Sequence, residues 1–353
     1  MKGLISIDTM YLNIRYPKAN VFQAWYKYAE GITFRKLKEG ILVNGFVVRN
    51  GTQGYKVSVW QHDARVYLTD QVDEKIGDGN GMGVWVQLGP KFLIQHADNL
   101  QSSVNELIQE IGILGYWPIR ITRLDLALDL LGVAMVDQDL NLWRNGWVGR
   151  SKISSVYFNS RTGDLETINV GSRESAVFLR VYDKISQAIK EGDIAYWYDV
   201  WKEFNGPVTR IEWEVKPTKG EFTSLKDFLS LNSLSVIELL NYLLDWGRLC
   251  VPDENDNNNS RWHDAKIWQQ IRELSKEWAD GVDWPTSRKG KEFHGISEKY
   301  VKFLSGTIAG GMARFGEKTP TMMNLLEGLA DHGECLDAIN KRAAAKAAIY
   351  SKL

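Results

Sequence analysis

Cysteine is nearly absent from the 353 residues, with only Cys250 and Cys335. Two such residues make neither a metal-binding spacing nor a disulfide framework, so a reducing, cytoplasmic setting is expected. Histidine is scarce too. His62, His96, His263, His294 and His332 include no two separated by a single residue, so a paired-histidine metal clamp is excluded. Excess charge of either sign is missing: 43 basic residues balance 44 acidic ones, a formal charge of −1. That rules out a free-standing polybasic arm and leaves only local patches for binding a polyanion. No uncharged apolar run is long enough to span a bilayer, and the segment from Met1 to Asp8 turns polar too early for a signal peptide, so no membrane partner is expected.

What is abundant is tryptophan, fourteen residues, most of them expected in the core and some available to stack on bases. Alternating patterns predict strands over 4–15, a hairpin over 54–69, and strands over 83–88, 119–130, 156–159, 166–170, 176–184 and 208–216. Helical spacing predicts helices over 99–113, 185–204 and 225–249. The fold class is therefore α+β, with a mostly antiparallel central sheet packed by helices and a helical C-terminal region. Residues 1–220 read as a catalytic domain and 221–353 as a helical region, with a polar linker at 251–260. Thr122-Arg-Leu-Asp125 is echoed by Thr209-Arg-Ile-Glu212, a pattern consistent with two related α/β halves.

Three of the strands are two-faced. In Arg123-Leu-Asp-Leu-Ala-Leu-Asp129, Phe178-Leu-Arg-Val-Tyr-Asp-Lys184 and Arg210-Ile-Glu-Trp-Glu-Val-Lys216, one face is apolar and the other charged. Period-two alternation puts Arg123, Asp125 and Asp129 on one side, and likewise Arg180, Tyr182 and Lys184, and Arg210, Glu212 and Glu214. Laid side by side, these strands would make a floor of carboxylates and cations around one tyrosine. A phenol with an ordinary pKa of about 10 is a poor nucleophile, and the flanking Arg180 and Lys184 are expected to favour phenolate. Crowded carboxylates need a counter-charge; oxygen-only ligation by Asp125, Glu212, Asp129 and Glu214 suits Mg²⁺ or Mn²⁺. Taken singly, each feature also fits a solvated sheet face with cross-strand ion pairs.

At these residues the chain resembles the replication initiation factor family, also called Rep-trans, whose members initiate rolling-circle replication or act as relaxases. The resemblance covers about residues 80–216. It runs through Thr122–Asp129, Thr167-Ile-Asn-Val-Gly-Ser-Arg-Glu-Ser175, Leu179-Arg-Val-Tyr-Asp-Lys184 and Arg210–Lys216. Asp183, Lys184 and Ile185 after the tyrosine are closer to the phage-type than the plasmid-type pattern. Leu88-Gly-Pro-Lys-Phe92 stands where phage members often carry Ser-Gly-x-Gly-Cys.

The resemblance implies a DNA nicking and joining enzyme. Tyr182 would be the nucleophile, forming a 5′-phosphotyrosyl link with a free 3′-OH, and Asp125 and Glu212 would serve a metal. The expected partners are origin DNA (single-stranded or hairpin at the nick, duplex nearby), a host helicase and a second copy of the chain, in a bacterial cytoplasm. Arg123, Ser172, Arg173, Arg210 and Lys216 are the expected DNA contacts. Two alternatives stand beside it: a relaxase of a mobile element with the same chemistry, and a DNA-binding regulator that does not cleave.

Other motifs carry less. The glycine-rich stretch 77–83 precedes a strand, whereas phosphate loops follow one and open a helix, so a flexible loop is expected there. The basic cluster at 288–291 reads as a solvated loop, with a phosphate-contact alternative, and the segment 341–346 as an exposed helix of good helix formers.

Overall fold

In a computed structural model, Leu124, Leu126, Leu128 and Leu130 all point into the core, as the alternation requires. The structure describes residues 2–278, apart from 16–19, 71–81, 115–117, 203, 218–224, 226 and 232. The chain divides into two units, Met1–Phe293 and His294–Leu353, the second of which lies outside the described residues. The basic clusters at 288–291 and 341–346 and most of the glycine-rich stretch also lie outside them.

The fold is α+β, built on one antiparallel sheet of eleven strands. Its first half is β1 (Lys2–Ile14), two short helices α1 (Asn20–Tyr26) and α2 (Phe34–Glu39), and a meander. The meander is β2 (Ile41–Val43), β3 (Phe46–Asn50), β4 (Val57–Gln61), β5 (Ala64–Leu68) and β6 (Val84–Leu88). Helices α3 (Pro90–Gln95) and α4 (Leu100–Glu110) lead to the second half. This begins with β7 (Ile119–Leu131), α5 (Leu140–Gly146) and the short β8 (Trp147–Gly149), then adds β9 (Ile153–Phe158), β10 (Leu165–Val170) and β11 (Val177–Asp183). Helices α6 (Lys184–Glu191) and α7 (Ile194–Val200) precede β12 (Val208–Val215). After it come α8 (Ser233–Trp246), β13 (Gly247–Leu249) and α9 (Lys266–Trp278).

The spatial order is β2-β3-β4-β5-β6-β1-β7-β12-β11-β10-β9. Each half opens with a 13-residue strand that its last strand returns to flank, and the two long strands pair antiparallel at the centre. The first half has six strands in the sheet and the second five. The sequence echo, however, falls on β7 and β12, which are neighbours within the same half.

One sheet face carries the main core. Val177, Leu179 and Val181 of β11 and Ile211, Trp213 and Val215 of β12 join the β7 leucines there, with α4, α8 and α9 supplying Val104, Leu243 and Trp268. Leucine-to-alanine changes at such sites typically cost about 2–5 kcal/mol. A smaller cluster on the opposite face packs Trp197 of α7, and Trp201 just after that helix, against Ala188 and Val208.

The helix expected over 185–204 is broken. Asp183 caps α6 by accepting from the Ser186 amide at 3.1 Å, and Gly192 ends it at φ 75°, a left-handed conformation that glycine adopts without strain. The helix expected over 225–249 is confined to α8, because residues 247–249 pair with β8 instead. Among the described residues no helix is long and apolar enough to cross a membrane.

Candidate active site

The three two-faced strands are neighbours. β12 lies between β7 and β11, with Arg210 opposite Asp129 and Tyr182, Glu212 opposite Ala127 and Arg180, and Glu214 opposite Asp125 and Phe178. Directly opposed residues share a face, so all the charged side chains stand on the side away from the main core. Sequence reasoning missed a fourth contributor, Asp8 of β1, which sits where the β1–β7 register slips between Ile7 and Thr9. Regular alternation cannot place a residue at such a bulge.

The floor is organised as ion pairs. Arg210 is completely buried. Its Nε and Nη2 donate to the two oxygens of Asp129 at 2.6 and 2.8 Å, and Nη1 donates to Asp8. The Trp201 indole donates to the same carboxylate at 2.8 Å, and the Trp197 ring centroid lies 4.4 Å from the guanidinium. Arg210 is therefore not a surface DNA contact, because its donors are spent inside the fold. Asp129, likewise, is committed to Arg210 and Trp201.

Toward the other end, Arg123 donates to Asp125 through Nε at 2.7 Å and lies 3.1 Å from Glu214. Lys216 also reaches Glu214 at 3.1 Å. Burial raises the Asp125 carboxyl to about 7 despite Arg123, and the Glu212 and Glu214 charges push the same way.

Tyr182 occupies the middle. Its hydroxyl donates to Glu212 Oε2 at 2.6 Å, while Arg180 binds Oε1 of the same carboxylate. The phenol is pushed well above its ordinary pKa, by burial first and by the Glu212 charge next. This corrects the expectation of a cation-stabilised phenolate: the resting tyrosine is neutral, and Arg180 serves Glu212. Lys184 departs from the strand pattern as well. The strand ends at Asp183, and Lys184 opens α6 buried, with Nζ 4.1 Å from the Trp197 ring centroid and 2.5 Å from Gln187 Oε1. Burial, with Arg210 adding, lowers it to about 8.

Arg180 and Tyr182 line a cavity of about 190 Å³ together with Glu166, Thr167, Ser186 and Lys190. At its edge Lys190 pairs with Glu166 at 3.2 Å. In the 171–175 turn, Ser172 Oγ accepts from the Glu174 amide at 3.2 Å, so that hydroxyl ties its own loop. Arg173 stands exposed over the Phe178 ring, 4.0 Å from Glu214.

The carboxylates are hard oxygen donors, chemically suited to Mg²⁺ or Mn²⁺. Their placement does not fit an ion cage, because arginine holds each of them and no three candidate ligands converge among the described residues.

No family model matches the chain, and no curated protein does. It is similar to a solved structure of a rolling circle replication initiator protein from Geobacillus stearothermophilus. The TM-score is 0.45 and the identity 16%, over 78% of this chain and 97% of that one. A likeness this distant assigns no role to any residue here.

Proposed function

We propose that the protein is a DNA nicking and joining enzyme of the rolling-circle initiator type, with Tyr182 as its nucleophile. The observation that carries the reading is the 2.6 Å Tyr182–Glu212 hydrogen bond beside an open cavity bordered by Arg180 and Lys190. A neutral phenol needs a base, and Glu212 is already in hydrogen-bond reach of its proton.

As the Tyr182 oxygen forms its bond to phosphorus, the phenolic proton passes to Glu212 and the bond from phosphorus to the 3′-oxygen breaks. That oxygen leaves as a hydroxyl, taking its proton from solvent. The products are a 5′-phosphotyrosyl link and a 3′-OH primer; reversal of the step rejoins the strand. Arg180 and Lys190 supply positive charge where the phosphoryl oxygens gain negative charge. Arg123, Arg173 and Lys216 would contact the flanking backbone.

Dependence on Mg²⁺ or Mn²⁺ belongs to the proposal only through Asp125 and Glu212, and it requires Arg123 and Arg180 to release them. A host helicase, a second copy of the chain and a relaxase role are further proposals of the same reading. One observation favours a second reading, a DNA-binding protein that does not cleave: every floor carboxylate is already neutralised by an arginine.

The test incubates the protein with hairpin and single-stranded origin DNA and Mn²⁺. An adduct that survives SDS and disappears in Tyr182→Phe is expected; no adduct on any substrate would favour the non-cleaving reading.

A further inference from the structure

The face that carries Tyr182 continues past β7 into the first half of the sheet. Tyr11 is opposite Arg123 and Gln87, Arg65 opposite Gln87 and Trp60, Trp85 opposite Tyr67, and Ser58 opposite Tyr67 and Arg49. By the same-face rule these residues stand on the Tyr182 side of the sheet.

They form a chain of ring contacts. The Arg123 guanidinium lies 5.0 Å from the Tyr11 ring, Tyr11 meets Trp85 edge-on at 5.4 Å, and Trp85 stacks on Tyr67 at 4.7 Å. Further out, Trp60 is flanked by Arg49 at 4.3 Å and Arg65 at 4.4 Å. Tyr55, whose hydroxyl donates to the Met82 carbonyl at 3.1 Å, closes one side against Tyr67 and Trp85.

A structural role alone does not account for this strip. Val48, Val59, Val66 and Val86 on the opposite side of the same strands are essentially inaccessible and already make the core. Tyr11, Arg49, Trp60, Arg65 and Trp85 are all left partly open. On this face β3–β6 present two arginines and no carboxylate. Aromatic faces interleaved with arginine are what unpaired bases and their phosphates bind, whereas a duplex hides its base faces. From β4 to β7 is four strand spacings, about 19 Å, room for several nucleotides.

We propose that this strip is a binding track for single-stranded nucleic acid that leads to the Tyr182 cavity. Bases stack on Trp60, Trp85 and Tyr11, and Arg49 and Arg65 neutralise phosphates. The track extends the nicking reading by stating how the strand beyond the scissile phosphate is held, and it rests on that reading only for its direction.

The test measures anisotropy of a labelled 20-residue oligo-dT with the full chain. Trp60→Ala and Arg49→Gln/Arg65→Gln are each expected to weaken binding about tenfold. The double arginine variant should lower the log–log salt slope by about 1.4, and Trp60→Phe, which keeps a ring, should restore affinity at an unchanged melting temperature. Wild-type affinity in both weakened variants, or equal competition by duplex of the same length, overturns the proposal. The Tyr182 adduct on a hairpin trimmed to the nick should persist in these variants. Oligo-dT binding through these residues without any adduct would sustain the track and remove the nicking reading.

Discussion

Tyr182 and Glu212 meet diagonally across the β11–β12 pair, the phenol donating to the carboxylate at 2.6 Å although neither residue is directly opposite the other. The tyrosine thereby has a proton acceptor built into the adjacent strand. Glu212→Gln keeps the shape and removes the base, so nicking should fall by about 10²–10⁴-fold while oligonucleotide affinity changes little. Single-turnover cleavage alongside anisotropy separates the two effects; cleavage at the wild-type rate would remove Glu212 from the chemistry.

Lys184 gives the fold a pH signature. Its folded-state pKa of about 8 lies below the ordinary lysine value of about 10.4, so between those values the unfolded chain binds the extra proton. Stability contributed by this group therefore rises as the pH climbs from 8 to 10. Urea unfolding across that range should show the rise, and Lys184→Gln should reduce it. An unchanged slope in the variant would contradict the assignment.

Asp125 sets a pH dependence of stability. Its carboxyl is raised from an ordinary 3.8 to about 7, so the folded state binds the extra proton between those values. Stability contributed by this group therefore falls as the pH climbs from 4 to 7. Urea unfolding across that range should show the decline, and Asp125→Asn should reduce it. An unchanged slope in the variant would contradict the assignment.

The Asp129–Arg210 pair should behave as structure. Asp129→Ala leaves a fully buried guanidinium with only Asp8 and should cost about 3–5 kcal/mol in chemical denaturation. A loss below about 1 kcal/mol would mean that the pair relaxes to solvent.

Metal dependence has its own readout. Because arginine holds Asp125, Glu212 and Asp129, cleavage should persist in EDTA. Cleavage abolished by EDTA and restored by Mn²⁺ would show that Asp125 and Glu212 exchange their arginines for an ion, and would take the base role from Glu212.

The sequence made the central sheet legible because β11, β12 and β7 from Arg123 onward alternate, with leucine, valine, isoleucine or Trp213 on the core face and the charged residues, with Ala127, Phe178 and Tyr182, on the other. Those strands are neighbours with their charged faces together, the condition on which the reading of a charged floor depended. It did not reveal which charge meets which. Arg210 reads as a DNA contact in one dimension, and only the register, which sets it opposite Asp129, shows why it is buried. Lys184 was misplaced because Asp183 caps a helix and ends the strand one residue early. The aromatic strip was invisible because its rings come from β1, β4, β5 and β6, which are scattered along the chain and joined only by cross-strand pairing.

Mass spectrometry of the protein–DNA adduct tests the central claim most directly. After nuclease and protease digestion, the nucleotide remnant is predicted on the peptide containing Tyr182, linked through a 5′-phosphate. A remnant on any other residue, or cleavage without a linked nucleotide, would contradict the account.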